Sequence, residues 1–560
     1  MLGIPPYFCC ESINELFIIP STKILIMKKK TSIVLIMLFP LSFLFAAPNE
    51  DGQAADGHTI KLVNYVKKAD RIDQQIVDHS KFAILQQEFN RPQDITLACL
   101  SCHTERHTEI MANNHWTWTR TEKLNGRGEV TVGKKNILNN FCIGTSSNRE
   151  TCTRCHIGYG WKDETFDFTA KENIDCLVCH DQSGIYKKES GQAGYPVKGI
   201  NLNVVAQSVG SPSRANCGVC HFWGGGGNNV KHGDLEEAMN DCSRKVDVHM
   251  GTDGEDMSCI ECHITENHNI TGKLYALSSE NKNRITCAQC HTEEPHQDAL
   301  LNKHGIRIAC QTCHIPVYAK ANATKMWWDW STAGRLDENG EQIHEADADG
   351  NHNYLSIKGT FVWDNNVKPD YFWFNGLADH FLITDTIKEI PVQMNTLDGA
   401  YSDKGANCKT NGCSKIWPVK VHRGKQPYDP VNMKLLQLKT YSKNKGEGAF
   451  WQDFDWDASI RAGMDYVGLP YSGEYDFVET EMYWPLNHQV SPANESLTCK
   501  DCHARGEEGR LASLTDFYMP GRDYNAWIDN IGVILITLAF IGVVIHGGLR
   551  IILRKNCLHE

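Results

Sequence analysis

Apolar residues concentrate at the two ends of the chain, and the long middle is polar. Near the C-terminus, residues 527–552 read WIDNIGVILITLAFIGVVIHGGLRII, an apolar run long enough to cross a bilayer as one helix. Arg550, Arg554 and Lys555 lie at its C-terminal end, and positive charge marks the cytoplasmic flank of a membrane helix. The pattern predicts a single C-terminal transmembrane anchor with a cytoplasmic C-terminus.

The amino-terminal apolar run has a different character. From Met27 the sequence reads MKKKTSIVLIMLFPLSFLFAAPNE, which is three lysines, an apolar stretch and then small residues near Ala46 and Ala47. This order is typical of a secretory signal peptide, so we predict one over residues 27–47. Residues 1–26 are interpreted as a mispredicted N-terminal extension, and an uncleaved membrane anchor is the alternative for the signal.

Between these ends, one short unit recurs. Residues 48–98 are polar, and their amphipathic stretch DHSKFAILQQEFNRPQD ends at Pro92. Beyond it the unit Cys-x-x-Cys-His occurs eight times, seven of them between residues 99 and 314 at spacings of 23 to 53 residues. Its cysteines are Cys99, Cys102, Cys152, Cys155, Cys176, Cys179, Cys217, Cys220, Cys259, Cys262, Cys287, Cys290, Cys310, Cys313, Cys499 and Cys502, and its histidines are His103, His156, His180, His221, His263, His291, His314 and His503.

The spacing within each unit is that of haem attachment. Two thiols three positions apart can bond to the two vinyl groups of one haem, and the adjacent histidine then serves as the proximal iron ligand. Random placement of the same cysteines and histidines would give roughly 0.04 copies of this pattern. Zinc also uses Cys-x-x-Cys pairs, but it does not require a histidine after every second cysteine. The sequence therefore predicts a c-type cytochrome with eight covalently bound haems.

Short segments between bulky macrocycles cannot each build a hydrophobic core, so the haems must serve as the core. We expect a mainly α fold with much irregular structure and little sheet, packed around eight haems, plus the C-terminal transmembrane helix. A haem-rich body is predicted over residues 48–314. Residues 315–525, which hold the eighth unit, are predicted to wrap that body. Their tryptophans are expected to pack around haem edges and loops; they are Trp327, Trp328, Trp330, Trp363, Trp373, Trp417, Trp451, Trp456 and Trp484.

The net charge of the chain limits its possible partners, and its cysteines indicate the cellular compartment. The net charge of -12 and the pI near 6.1 argue against nucleic acid as a partner. Haem is attached outside the cytoplasm, which together with the anchor predicts a location on the periplasmic face of the cytoplasmic membrane. Thiols outside the haem units can be oxidised there. Among them, Cys408 and Cys413 in CKTNGC are the expected disulfide.

Eight haems in one body suit electron transfer, and most should carry two axial histidines. The chain has 24 histidines, of which eight belong to the units. Nine of the others are good candidates for distal ligands, and the sequence alone pairs none of them with a given haem. They are His79, His115, His232, His249, His268, His296, His304, His422 and His488.

The stretch after the fourth unit, CHFWGGGGNNVKHGDLEEAMND, is unusual. Four glycines followed by Asn-Asn let a backbone fold closely against a flat ring. Lys231 follows, and a neutral lysine amine can bind iron when burial lowers its pKa. The alternative is a surface lysine with no such role.

Several stretches around the units match a known family. They are ACLSCHTE followed by HWTW, NNFCI before CTRCHIGYGW, NIDCLVCHD, CGVCHFWGGGG with VKHGDLE, DVHM, ACQTCHIP and TKMWWDWSTAG. On these, the sequence resembles the octahaem tetrathionate reductase family of periplasmic multihaem cytochromes, relatives of the hydroxylamine oxidoreductase-like octahaem proteins. The resemblance implies that the second haem, held by Cys152, Cys155 and His156, is catalytic with Lys231 as its distal ligand. It also implies that Cys142 is an unpaired cysteine beside the pocket.

The resemblance further implies a reaction, the two-electron reduction of tetrathionate to thiosulfate in anaerobic respiration. Substrate and product are dianions, so the pocket needs positive charge, which Lys231 could supply as an ammonium group. Cys142 could exchange with a sulfur of the substrate or serve as a packing thiol. Two alternatives stay open: reduction of nitrite or hydroxylamine, or oxidation of hydroxylamine, at such a haem, and a pure electron-transfer cytochrome without a substrate.

His546 lies inside the C-terminal apolar run, where an ionisable residue is costly and suggests a function. The two glycines after it would let another helix approach closely. We therefore expect a quinol-oxidising cytochrome b as a membrane partner, with His546 ligating a shared haem b or hydrogen-bonding to a quinol. The alternative is a neutral histidine that points to the headgroup region.

Overall fold

The computed structural model describes residues 77–124, 127–140, 144–272, 284–398 and 414–556. Four features predicted from the sequence lie outside these residues. They are the extension 1–26, the signal peptide 27–47, Cys142, and the pair Cys408 and Cys413.

The α-helices are mostly one or two turns long; α1 and α12 are longer, with 11 and 12 residues, and α14 is the longest with 31. Their bounds are α1 Pro92–Cys102, α2 Arg106–Met111, α3 Asn114–Thr117, α4 Arg149–Cys152, α5 Leu177–His180, α6 Leu202–Gln207, α7 Arg214–His221, α8 Cys259–Cys262, α9 Ala299–His304, α10 Cys310–His314, α11 Phe450–Asp453, α12 Trp456–Val467, α13 Cys499–Cys502 and α14 Ala526–Asn556.

The haem-attachment units explain much of this shortness, because a unit needs only one helical turn to bring its two thiols to one side. In three units a hydroxyl residue directly before the first cysteine caps that turn. Ser258, Thr286 and Thr498 each accept from the backbone N–H three residues on, and the side chain at that position bonds back to the cap. The capping boxes therefore fix each turn locally, without a long helix.

The second half of the chain contains a nine-stranded sheet, so the expectation of little sheet is wrong. Its strand order is β11-β15-β13-β5-β8-β7-β6, and β9 and β14 also pair with β13. The strands are β1 Arg120–Leu124, β2 Gly128–Val132, β3 Thr265–Glu266, β4 Asn269–Ile270, β5 Thr324–Asp329, β6 His344–Ala346, β7 His352–Leu355, β8 Gly359–Asp364, β9 Asp370–Phe374, β10 Leu377–His380, β11 Val392–Gln393, β12 Asn395–Asp398, β13 Lys415–Asp429, β14 Lys434–Leu435 and β15 Asp476–Pro485.

Strand β13 is the longest strand of this sheet and pairs with four others. It pairs antiparallel with β15 and β9 and parallel with β5. Trp328, Trp330 and Trp484 are buried in the hydrophobic core that the sheet forms with α11 and α12. These tryptophans therefore help to build the core of the sheet, and the wrapping of the haem body by residues 315–525 stays a prediction.

Helix α14 contains the predicted membrane span. Ala526–Leu553 is long and apolar enough to cross a bilayer, and none of its most apolar window is buried against the rest of the described chain. It begins after the eighth haem-attachment unit, which ends at His503.

We expect Phe450→Ala to lower the free energy of unfolding by about 3–5 kcal/mol, the usual cost of removing a buried phenylalanine. Phe450 is 0% exposed and its ring lies 4.4 Å from that of Trp456. Chemical denaturation followed by far-UV circular dichroism measures the change. Val362→Ala, at a side chain 52% exposed on β8, is the control and should change stability by less than about 0.5 kcal/mol. Equal effects would show that the sheet core does not limit stability.

Candidate functional site

All sixteen cysteines of the haem-attachment units line one continuous cavity of about 3470 Å³. A typical site for one small ligand is about 300–1,000 Å³, so this space fits several large groups side by side. Seven of the eight unit histidines line the same cavity, and His156 does not.

Each of those seven histidines faces a second histidine at a nearly constant separation. Because an imidazole nitrogen binds a first-row transition metal at about 2.0 Å and its ring centre lies about 1.1 Å further out, two imidazoles on opposite sides of one iron have centroids roughly 6.3 Å apart. The residues present therefore fit haem irons. The centroid separations are 6.5 Å for His79 and His103, 6.2 Å for His115 and His221, 6.4 Å for His180 and His268, 6.2 Å for His249 and His291, 6.3 Å for His263 and His488, 6.2 Å for His296 and His314, and 6.2 Å for His304 and His503.

In six of the seven second histidines, the Nδ1 atom is already hydrogen-bonded. The Nδ1 atoms of His268 and His488 lie 2.8 Å and 3.3 Å from the carboxylates of Glu109 and Asp234. The Nδ1 atoms of His79, His115, His296 and His304 lie 2.9–3.2 Å from amide or backbone oxygens. A histidine whose Nδ1 is hydrogen-bonded has its Nε2 oriented for a metal.

Burial also keeps the imidazoles in the form that binds iron. It lowers the pKa of His115 and of His314 to about 4 and the pKa of His221 well below the usual value. His488 is different, because the hydrogen bond and charge of Asp234 outweigh burial and raise its pKa. Neutral imidazole is the metal-binding form, so burial favours ligation at the first three.

Contacts between thiols order the units in space. The thiols of Cys99 and Cys176 are in hydrogen-bonding contact, which joins units one and three. Equivalent contacts join units two and four, units four and five, and units six and seven, through Cys155 and Cys220, Cys217 and Cys259, and Cys287 and Cys310. The thiols of units three and four, of units five and six, and of units seven and eight also lie near one another. The units thus form a row from one end to the other, with unit two branching from unit four.

His156, in unit two, departs from this pattern. Its Nε2 lies 2.7 Å from the backbone carbonyl of Trp116, and its ring is enclosed by Trp116, Trp118 and Trp161 at centroid distances of 4.8–5.5 Å. The predicted role of His156 as a proximal iron ligand stays a prediction. The buried Lys188 ammonium holds the His156 backbone by donating to its carbonyl at 2.6 Å.

Lys231 is buried near Cys155 of unit two. It is 7% exposed, and its Nζ lies 5.1 Å from the centre of the Trp484 ring. A Cβ on Gly224 would lie 3.2 Å from the Lys231 Cδ, so the glycine-rich loop leaves room for the chain of the lysine. Burial, and then the charge of Lys134, lower the pKa of Lys231 to about 7, whereas Cys155 of unit two acts in the opposite direction. A surface role for Lys231 is therefore excluded.

Two of the nine candidate distal histidines are corrected. His232 packs against Trp484, with centroids 4.7 Å apart, and His422 is fully buried within β13. Neither ring contacts another histidine ring in the described part of the chain. His422 points into the sheet, whose existence the sequence pattern did not indicate.

Paired imidazoles on Cys-x-x-Cys-His turns around one cavity define a multihaem c-type cytochrome. Two family descriptions match the chain: "Cytochrome c bacterial" over residues 325–506 and "Cytochrome c554 and c-prime" over residues 97–181. A protein of Archaeoglobus fulgidus described as uncharacterized is 22% identical, over 35% of this chain and 80% of its own.

The solved octahaem cytochrome c from Shewanella oneidensis is 42% identical, with a TM-score of 0.70, and the match covers 78% of this chain and 96% of that one. The chain belongs to the octahaem c-type cytochrome family of that protein, the tetrathionate reductase type that its motifs resemble. The predicted family and its covalently bound haem c are thereby confirmed.

Sequence reasoning missed the residues that orient the ligands. Asp234 accepts from the backbone N–H groups of Asn487 and His488, at 2.7 and 2.9 Å, as well as facing the His488 ring. Asp234 lies three residues after Lys231 in VKHGD, and that short spacing is the one signal that could have pointed to it.

We expect Asp234→Asn to raise the reduction potential of one haem, because a carboxylate hydrogen-bonded to an imidazole ligand makes the ligand more basic and favours oxidised iron. Asparagine keeps an oxygen for the backbone N–H groups, so the fold should persist. Spectropotentiometric titration measures the shift. Asp241→Asn, at an exposed carboxylate, is the control and should leave every potential unchanged. An unchanged titration in Asp234→Asn would show that the carboxylate does not tune this pair.

Proposed function

We propose that the protein is a membrane-anchored octahaem reductase that reduces tetrathionate to thiosulfate at the haem of Cys152 and Cys155. The observation that carries the proposal is the exception in unit two. Its histidine faces no second imidazole among the described residues, and a buried lysine, Lys231, interacts with the Cys155 thiol of the same unit. The seven other units, each with a pair of histidines, are suited to carrying electrons to that haem.

Lys231 is proposed as an axial ligand of this iron. Since its pKa is lowered to about 7, much of the amine is neutral near pH 7, and a neutral amine can bind a metal. A lysine amine binds less tightly than an imidazole. Lys231 would therefore yield its position to a substrate more readily than a second histidine would.

The surroundings favour an anionic substrate. Lys134 lines the cavity with its Nζ 4.6 Å from the centre of the Trp118 ring, which itself packs against His156. The positive charge of Lys134 lowers the pKa of both Lys231 and Cys155. Tetrathionate is a dianion, so an ammonium group here would attract it to unit two.

The reaction balances without protons. The central S–S bond of tetrathionate breaks, two electrons enter, and two thiosulfate dianions leave. Haem supplies electrons singly, so the row of paired units is needed to deliver two in succession. Cys142, outside the described residues, remains a proposed thiol for exchange with a substrate sulfur.

Steady-state reduction with a dye donor tests the function. We expect kcat/KM for tetrathionate to exceed the values for nitrite, hydroxylamine and sulfite. A higher value for nitrite or hydroxylamine would make the nitrogen compound the substrate. Failure to reduce any of them would leave an electron carrier without a catalytic iron.

We expect Lys231→Leu to abolish most tetrathionate reduction and to remove one distinctive low-spin signal from the EPR or magnetic circular dichroism spectrum. The bis-histidine signals should stay, because their ligand pairs do not involve Lys231. Lys198→Leu, at an exposed lysine, is the control and should match the parent protein. Unchanged spectra in Lys231→Leu would mean that this lysine does not bind iron.

Electrons are proposed to enter through unit eight, since α14 follows it in the chain and unit two lies further along the row. The anchor would place this end at the periplasmic side of the membrane, next to a quinol-oxidising cytochrome b that could share a haem b at His546.

We expect His546→Leu to keep full dye-linked activity and to lose quinol-dependent reduction in membranes. An apolar side chain at this position leaves the anchor intact but removes the group proposed to contact the partner's haem or a quinol. Val543→Leu, in the same helix, is the control. If quinol-linked activity survives in His546→Leu, His546 has no role beyond the anchor.

A further inference from the structure

A second buried lysine holds the backbone on which Lys231 is carried. Lys420 is 0% exposed, and its Nζ donates to the carbonyls of Val230 and Lys231 at 3.0 and 3.2 Å. It also donates to the hydroxyl of Thr324 at 2.6 Å, and that hydroxyl donates in turn to the carbonyl of Asn229. Three successive carbonyls, those of residues 229 to 231, are therefore tied to the sheet by two side chains.

The register of the sheet brings these two side chains together. Strands β13 and β5 run parallel with Arg423 opposite Trp327, so Lys420 and Thr324, each three residues earlier, come side by side. The side chain of Lys231 is held by the same sheet, because its amine lies over Trp484, the cross-strand partner of Lys420 on β15. One sheet face thus fixes both ends of Lys231.

Stability alone does not explain a lysine at position 420. Taking an ammonium group out of water is costly, and an apolar side chain of similar volume is often as stable or more so. Burial lowers the pKa of Lys420, which is the sign of that cost. What a methionine could not do is donate hydrogen bonds to the two carbonyls and the hydroxyl.

We propose that Lys420, together with Thr324, is a positioning residue for Lys231 that fixes the 229–231 backbone so that the amine reaches the iron of unit two. The inference rests on the proposed ligation by Lys231. With the backbone fixed, the lysine can leave and return to the iron only by rotation of its own side chain.

Lys420→Met and Thr324→Val test the proposal in the haem-loaded, full-length protein. Both should shift or remove the spectroscopic signal that Lys231→Leu removes, and leave the bis-histidine signals unchanged. Lys420→Met should lower kcat/KM for tetrathionate by on the order of 100-fold, the usual cost of misplacing a reacting group by about 1 Å. Thr324→Ser keeps the hydroxyl and should restore the parent signal, which a purely structural role of this position would not require.

The matched control is Lys320→Met. Lys320 also donates to backbone carbonyls, those of Val246 and Gln489 at 3.1 and 2.7 Å, but its bonds lie on another segment. Its loss should leave the unit-two signal unchanged.

The outcomes separate the two proposals. If Lys231→Leu changes the spectrum but Lys420→Met and Thr324→Val do not, the positioning role is wrong and the ligation stands. If Lys231→Leu has no effect, the ligation itself fails, and Lys420 has no ligand to position. Should Lys420→Met fail to fold with a full haem content, Thr324→Val against Thr324→Ser decides the matter.

Discussion

The arrangement of this protein depends on one distance, the separation that an iron imposes on two imidazoles bound on opposite faces. Seven histidine pairs meet it within a few tenths of an ångström, although their members lie between 18 and 225 residues apart in the chain. A haem-attachment turn supplies only one member of each pair. The other must be delivered by a loop or a short helix whose position is fixed elsewhere, and this explains why so much of the first half is irregular.

For Lys231 and His488, the element that fixes their position is the nine-stranded sheet. Its core is made of aromatic and aliphatic side chains and would be buried whatever filled the haem cavity. From its face come Lys420 and Trp484, which hold Lys231, and from the loop after β15 comes His488, which faces His263. The protein therefore has two kinds of core: the cavity lined by the haem-attachment units, which is suited to hold the cofactors, and the hydrophobic core of the sheet, which positions Lys231 and His488.

Much of this could be predicted from local sequence, because haem attachment and an apolar helix long enough to span a membrane are encoded in contiguous residues. The units, the C-terminal apolar helix and the pool of distal histidines needed only spacing and hydropathy. What failed depended on contacts between distant residues. His422 was predicted as a ligand, but it is buried in strand β13 of the sheet. The sheet could not be recognised from the sequence pattern, because its strands carry lysine and proline among their apolar residues. The contact between His156 and Trp116 could not be predicted for the same reason, since only the fold brings the Trp116 carbonyl to the His156 Nε2.

Two buried lysines hold the backbone on either side of the difference between unit two and the other units: one contacts His156 and the other contacts Lys231. Lys188, paired with Asp175 at 3.0 Å, holds the carbonyl of His156 and leaves its ring in an aromatic cage. Lys420 holds the carbonyl of Lys231 and directs the amine toward the cavity. A lysine amine binds iron less tightly than an imidazole, so under the proposed ligation Lys231 is the ligand that a substrate can displace. The branch position of unit two follows from the same logic: a haem with an exchangeable face can end a path of electrons, but it would interrupt a row that has to carry them onward.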